Sequence, residues 1–151
     1  MKKLLWFVFL LLLAILSYYR EVLFVSINAV IGGEQFFWAK TTQIDFFLNK
    51  SSSTLVQYKY MMTVGFTALF ALFTTIGLRV SFQEKTPFLV ALLTYSVCCI
   101  IAGFVLVYAL LTNSFESVYS FLRLIIEYLH NPLIYIFISA SFLGYSYSQK
   151  K

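Results

Sequence analysis

The feature that most constrains this chain is a run of twenty-five uncharged residues, 87–111, joined by a second uncharged run of nineteen, 60–78. A helix rises 1.5 Å per residue, so about 20 apolar residues cross the ~30 Å hydrocarbon core of a bilayer. An isolated span must satisfy its backbone polar groups within itself, which requires an α-helix. The two runs therefore predict transmembrane helices.

Two shorter apolar segments, 4–19 and 132–147, complete the predicted set of spans. The first ends without the small residues that a signal-peptide cleavage site needs, so we expect an uncleaved anchor. Only 11% of the residues are charged, whereas soluble domains carry about 25%. We predict an all-α membrane protein, one domain of residues 1–151, with four transmembrane helices plus amphipathic interfacial helices on the extracytoplasmic side.

The charge distribution predicts the orientation of the chain. With the N-terminus inside, the cytoplasmic segments carry six basic residues against one acid. The extracytoplasmic segments, 20–59 and 112–131, carry five basic and five acidic residues. Because basic residues concentrate on the cytoplasmic side, we expect both termini in the cytoplasm. The net charge of +5 then reflects membrane topology, and no nucleic-acid partner is predicted.

The first extracytoplasmic segment opens with the charged pair Arg20 and Glu21, directly after two tyrosines. Tyrosines are typical of the headgroup level, so the pair marks the exit of the first span. A helix over 4–31 would be about 42 Å long, more than the core needs, so it must bend or protrude. If the helix continues, Glu21 and Asn28 share one side, and Gly32 and Gly33 are expected to end it.

The second extracytoplasmic segment predicts an amphipathic helix. Between 115 and 130, polar residues recur at spacings of four, three, four and three: Glu116, Ser120, Arg123, Glu127 and His130. Such a helix either packs over the bundle as a structural element or offers a docking surface to a partner helix. Our hypothesis is that five polar residues of the two outer segments contact a membrane partner: Arg20, Glu21, Asn28, Arg123 and Glu127.

A stripe of small and weakly polar residues recurs every fourth position in the second span: Thr63, Thr67, Ala71 and Thr75. Small residues let helices approach closely, so we expect this stripe to serve helix packing, with a polar path for a substrate as the alternative. The predicted spans carry no acidic residue, lysine or histidine deep within them. That absence is evidence against a proton- or ion-coupled transporter.

The residues that usually carry catalysis are few and scattered. Cys98 and Cys99 are adjacent near the middle of the third span, where a thiolate is costly to desolvate, so we interpret them as apolar filler. We interpret His130, the single histidine, as a helix-end or interface residue. The sequence contains no phosphate-binding glycine loop, zinc spacing or paired carboxylates. We therefore predict no enzyme, no cofactor and no metal site.

Two pieces of the chain carry a family resemblance: YREVLFVSINAVI at 19–31 and NPLIYIFISASFLGYSYSQKK at 131–151. A short anchor, an Arg-Glu exit, three further spans and a terminal helix led by Asn-Pro resemble the small exosortase-associated membrane proteins of gram-negative bacteria, of the exosortase X or F type. The resemblance implies an accessory of the bacterial inner membrane beside a membrane-embedded exosortase that sorts proteins. It supplies no catalytic residue.

Two other classes remain as alternatives on size and composition. One is a small four-span flippase or channel subunit, and the other is a structural subunit of a larger membrane complex. Membrane lipid surrounds the chain in every case. The sequence leaves the oligomeric state open, with a homo-oligomer among the alternatives.

Overall fold

The computed structural model describes residues 2–33 and 45–148, and this part of the chain is helical without any strand. Its elements are α1 (Lys2–Gly32), α2 (Asp45–Leu48), α3 (Ser52–Phe82), α4 (Lys85–Thr112), α5 (Phe115–Leu129) and α6 (Leu133–Ser148). Within these ranges α1, α3 and α4 are long and apolar enough to cross a membrane. A fourth crossing results if α5 and α6, inclined by 56°, form one broken span. The predicted all-α membrane class is confirmed, with three or four crossings.

The helix α1 continues past the charged pair Arg20 and Glu21, which is the continuation that the sequence left open. It continues without a break to Gly32, and Gly33 then takes a positive φ of 65°. The predicted end at the two glycines is confirmed. Its 31 residues extend about 46 Å, well beyond a ~30 Å core. The helix is therefore longer than a bilayer core needs, and it continues without a break past Arg20.

A two-residue turn joins α3 and α4 into an antiparallel pair. Ser51 caps the start of α3, where its hydroxyl accepts from the Thr54 backbone N–H. At the other end Gln83 takes a left-handed conformation with φ of 58°, and its N–H donates to the Arg79 carbonyl at 3.0 Å. Only Gln83 and Glu84 separate the two helices, so the helices must lie side by side.

The helix α1 packs along α3 from one end to the other. Near the start of α1, Phe9 lies against Gly77, where an added Cβ would come within 2.8 Å of the ring carbon Cγ. A small residue here lets the two backbones approach closely. Near the far end of α1, Lys59 Nζ donates to Asn28 Oδ1 at 2.9 Å. These two contacts set the alignment of α1 on α3.

Hydrogen bonds between side chains join α6 to α1 and α3 inside the apolar core. Trp6 Nε1 donates to Ser139 Oγ at 2.9 Å. The buried Tyr135 hydroxyl lies 3.4 Å from the Trp6 carbonyl and 3.2 Å from Ser81 Oγ. One phenolic hydrogen serves the carbonyl, so Ser81 donates to the phenol oxygen. Three helices are thus joined near the Lys2 end of α1.

Candidate functional site

A cavity of about 1010 Å³ lies among α1, α3, α4 and α5. Ligand pockets usually enclose about 300–1,000 Å³, so this cavity is at the large end of that range. The structure brings all five predicted partner-contact residues to its lining, although they come from two separate segments of the sequence: Arg20, Glu21, Asn28, Arg123 and Glu127. The partner itself remains a prediction. The grouping identifies this cavity as the candidate site.

One end of the cavity, which we call the mouth, is lined by Arg20, Glu21, Asn28, Lys59, Arg123 and Glu127. Two ion pairs lie there. Arg20 Nη1 is 3.0 Å from Glu21 Oε2, and Arg123 Nε is 2.7 Å from Glu127 Oε1. The Arg20 guanidinium also lies 4.8 Å from the centre of the Phe24 ring. Both carboxylates are therefore already paired with a guanidinium. The Arg20 pair lets α1 carry charged residues without ending there, because each charge offsets the other.

Lys59 also lines the mouth, and sequence reasoning missed it. We counted this lysine only as an outer charge next to the span 60–78. In the structure its ammonium donates to Asn28 Oδ1, a neutral acceptor, across 31 positions of sequence. The available signal was a cation directly before an apolar span, which also describes an ordinary interface lysine. Only the packing of α1 against α3 distinguishes the two roles.

The interior of the cavity is mostly apolar, with large side chains around it and small ones where α3 faces α4. Ala68 on α3 and the consecutive pair Ala102 and Gly103 on α4 leave the space between these helices. Two larger lining residues stay exposed, with Val64 at 71% and Leu110 at 65% of their surface accessible. The cavity is therefore a cleft that opens to the surroundings of the bundle, where a membrane places lipid chains.

The predicted small-residue stripe divides between two environments. Thr63, Thr67 and Ala71 line the cavity, whereas Thr75 is buried. The threonine hydroxyls donate to carbonyls one turn earlier in α3, at 2.7–2.9 Å. Their hydrogens are thus used within the helix, and toward the cavity they present methyl groups and oxygen lone pairs.

His130 is buried at the end of α5, with 3% of its surface accessible. Its Nε2 lies 2.8 Å from Thr67 Oγ1, and the Thr67 hydrogen already goes to the Thr63 carbonyl. Nε2 must therefore carry the hydrogen and donate it, leaving Nδ1 as an acceptor. Within the described ranges, Nδ1 has no hydrogen-bond partner. The ring stacks on Phe70 with centres 5.5 Å apart, so His130 fastens the end of α5 to α3.

The two cysteines occupy different places. Cys99 is exposed and lines the cavity, whereas Cys98 is half-buried against the core, and both thiols are free. Across residues 2–33 and 45–148, no group of three or more His, Cys, Asp or Glu side chains could hold a metal ion. Several charges used for the orientation, including those at 150 and 151, lie outside the described residues.

No family model, no curated protein and no solved structure matches this chain.

Proposed function

We propose that this chain is a non-enzymatic membrane protein that takes one lipid-like amphiphile from the bilayer into the cavity among α1, α3, α4 and α5. The observation that carries the proposal is a cavity of about 1010 Å³ that is charged at its mouth and mostly apolar along the rest of its lining. A bilayer lipid has the same division between a polar head and an apolar tail. The proposal belongs to the flippase-subunit class that the sequence left as an alternative.

The length of the cavity suits an acyl or isoprenoid chain. The lining residues Lys59 and Ala71 are twelve positions apart on α3, which corresponds to about 18 Å along the helix. This exceeds half of a ~30 Å hydrocarbon core. A headgroup at the mouth therefore leaves room for a tail reaching the bilayer midplane. With both termini in the cytoplasm, as predicted, that lipid comes from the outer leaflet of the inner membrane.

A cavity-filling variant tests the proposal directly. An added Cβ at Gly103 meets nothing within 4 Å, and Gly103 lines the cavity, so Gly103→Phe places a ring in the lipid's space. Gly144 on α6 has the same open surroundings and does not line the cavity, so Gly144→Phe is the matched control. Each protein is purified in mild detergent, and native mass spectrometry measures the lipid retained per chain.

We expect one retained lipid on the wild-type chain and on Gly144→Phe, and a several-fold lower occupancy on Gly103→Phe. The reason is that the new ring occupies the volume needed by the tail. Equal retention by the two phenylalanine variants would contradict binding in this cavity. A wild-type chain that retains no lipid, even after incubation with a bacterial lipid extract, would contradict the proposed function itself.

The accessory role implied by the exosortase resemblance is the second candidate. The observation that favours it is the exposure of the α5 ion pair, with 66% of the Arg123 side chain and 47% of the Glu127 side chain accessible. A tagged pull-down from native membranes tests it with Arg123→Glu and Glu127→Arg. Glu116→Arg, an exposed change on the same helix outside the pair, is the control. Loss of a membrane partner in the pair variants alone supports the accessory role, and unchanged recovery rejects it.

A further inference from the structure

We infer that the amphiphile in this cavity carries an anionic phosphate headgroup, whose oxygens accept hydrogen bonds from Lys59 and Arg20. This inference rests on the proposed lipid-binding function and assigns the chemistry of the head. The inference follows from which hydrogen-bond donors and charges at the mouth are already paired within the protein and which are unpaired.

The Arg20 guanidinium has a donor without an acceptor. Its Nη1 bonds to Glu21, but Nε is buried and has no hydrogen-bond partner in the described part of the chain. Only 15% of the Arg20 side chain is accessible, and the residue lines the cavity. A buried, charged N–H without an acceptor is costly. Because this atom has almost no accessible surface, the guanidinium must turn toward the cavity before a headgroup oxygen can accept from Nε. That contact would remove the cost.

Lys59 is the cation at the mouth without a carboxylate partner among the described residues. Its ammonium donates to the neutral Asn28 oxygen at 2.9 Å, and the residue is half-buried. Three cations line the mouth, Arg20, Lys59 and Arg123, against two carboxylates. The lining therefore has a formal charge of +1, which complements a head with one negative charge.

The two carboxylates decide against a zwitterionic head. An ammonium group on the lipid would need a free acidic partner, and Glu21 and Glu127 are each held by an arginine at 3.0 and 2.7 Å. A head without phosphate would offer only neutral acceptors, and hydrogen bonds from cations to charged oxygens are about twice as strong as neutral ones. A monoanionic phosphodiester fits the mouth better than either.

Lipid competition on the delipidated full-length chain tests the assignment. Three lipids with identical acyl chains are offered at equal concentration: phosphatidylglycerol, phosphatidylcholine and diacylglycerol. Native mass spectrometry gives the ratio of bound species for the wild type, Lys59→Gln and Lys50→Gln. Lys50 is a suitable control because its ammonium lies 5.3 Å from the Phe46 ring, away from the cavity lining.

We expect the wild type and Lys50→Gln to bind phosphatidylcholine less well than phosphatidylglycerol, because both carboxylates at the mouth are already paired. They should prefer phosphatidylglycerol over diacylglycerol by about tenfold, the effect of one charge-assisted hydrogen bond. Lys59→Gln should lose most of that preference, and Lys59→Arg should restore it. Thermal unfolding of each variant confirms that it is folded. Inorganic phosphate should not displace the lipid, since it has no tail to fill the apolar part of the cavity.

Different results would overturn the assignment of the head and the proposed lipid-binding function. Equal binding of all three lipids by the wild type would overturn the assignment of the head and leave the lipid-binding function standing. An undiminished preference in Lys59→Gln would also overturn the assignment. Displacement by inorganic phosphate would mean that the mouth binds a free anion without a tail, and would contradict the proposed function. Binding of none of the three lipids would likewise reject the proposed function.

Discussion

Gly77→Ala tests how closely α1 approaches α3. The new Cβ would lie 2.8 Å from Phe9 Cγ and 2.9 Å from Phe9 Cβ. Carbon atoms in contact prefer about 3.5–4.0 Å, so the two helices must separate by roughly 0.7 Å or more. Rotating the Phe9 ring cannot relieve the clash, because Phe9 Cβ is bonded to the backbone. Overpacking of this kind costs about 1–3 kcal/mol.

Gly65→Ala is the matched control, on the same helix with nothing within 4 Å of the added Cβ. Both substitutions gain about 0.5–1 kcal/mol because alanine restricts the unfolded chain more than glycine does. That gain cancels when the two are compared. We therefore expect the free energy of unfolding of Gly77→Ala to be about 1–3 kcal/mol below that of Gly65→Ala. This equals about a 5- to 150-fold change in the unfolding equilibrium constant.

The assay is reversible unfolding in mixed micelles of mild detergent and sodium dodecyl sulfate, followed by tryptophan fluorescence. Both variants and the wild type are measured at equal protein concentration. Equal stability of the two alanine variants would refute the close contact between Phe9 and Gly77. If the double variant Phe9→Ala/Gly77→Ala is as stable as Phe9→Ala alone, the cost of Gly77→Ala comes from this contact.

Two further predictions use the same unfolding assay. Thr67→Val leaves the buried His130 N–H without its acceptor and should lower the free energy of unfolding by about 1–2 kcal/mol. Thr94→Val is the control, because the Thr94 hydroxyl bonds within its own helix, and it should stay within about 0.5 kcal/mol of the wild type. Similar losses in both would mean that the bond to His130 adds nothing. Trp6→Phe and Ser139→Ala each remove the hydrogen bond that joins α1 to α6. Their double-mutant cycle should show a coupling free energy of about 0.6 kcal/mol. If the two losses of stability simply add, the bond does not stabilise the fold.

The helices themselves were predictable because their signals are local. Long uncharged runs identify spans, so residues 60–78 and 87–111 fall within α3 and α4. The spacing of polar residues between 115 and 130 predicted the helix α5, and the structure places it at Phe115–Leu129. The glycine pair after α1 ends that helix as expected. In each case the deciding property belongs to neighbours within one or two turns.

The sequence left open whether the first helix ends at Arg20, since a charged pair after apolar residues marks a membrane exit whether or not the helix continues. The structure shows one helix through the pair, where the guanidinium contacts Glu21 and the Phe24 ring. The sequence also grouped the five polar candidates by their presence on outer segments. It could not show that they line one cavity, because that requires α5 to lie across α3 and α4.

Composition and the long uncharged runs by themselves predicted a helical, membrane-embedded chain, since an isolated apolar span must satisfy its backbone hydrogen bonds within itself. The tertiary structure alone decided which residues line the cavity and which of their charges are paired within the described part of the chain. Those properties depend on residues far apart in the chain, such as Asn28 with Lys59 and Thr67 with His130. Such pairs cannot be read from a local sequence pattern, because they form only when the helices pack against one another.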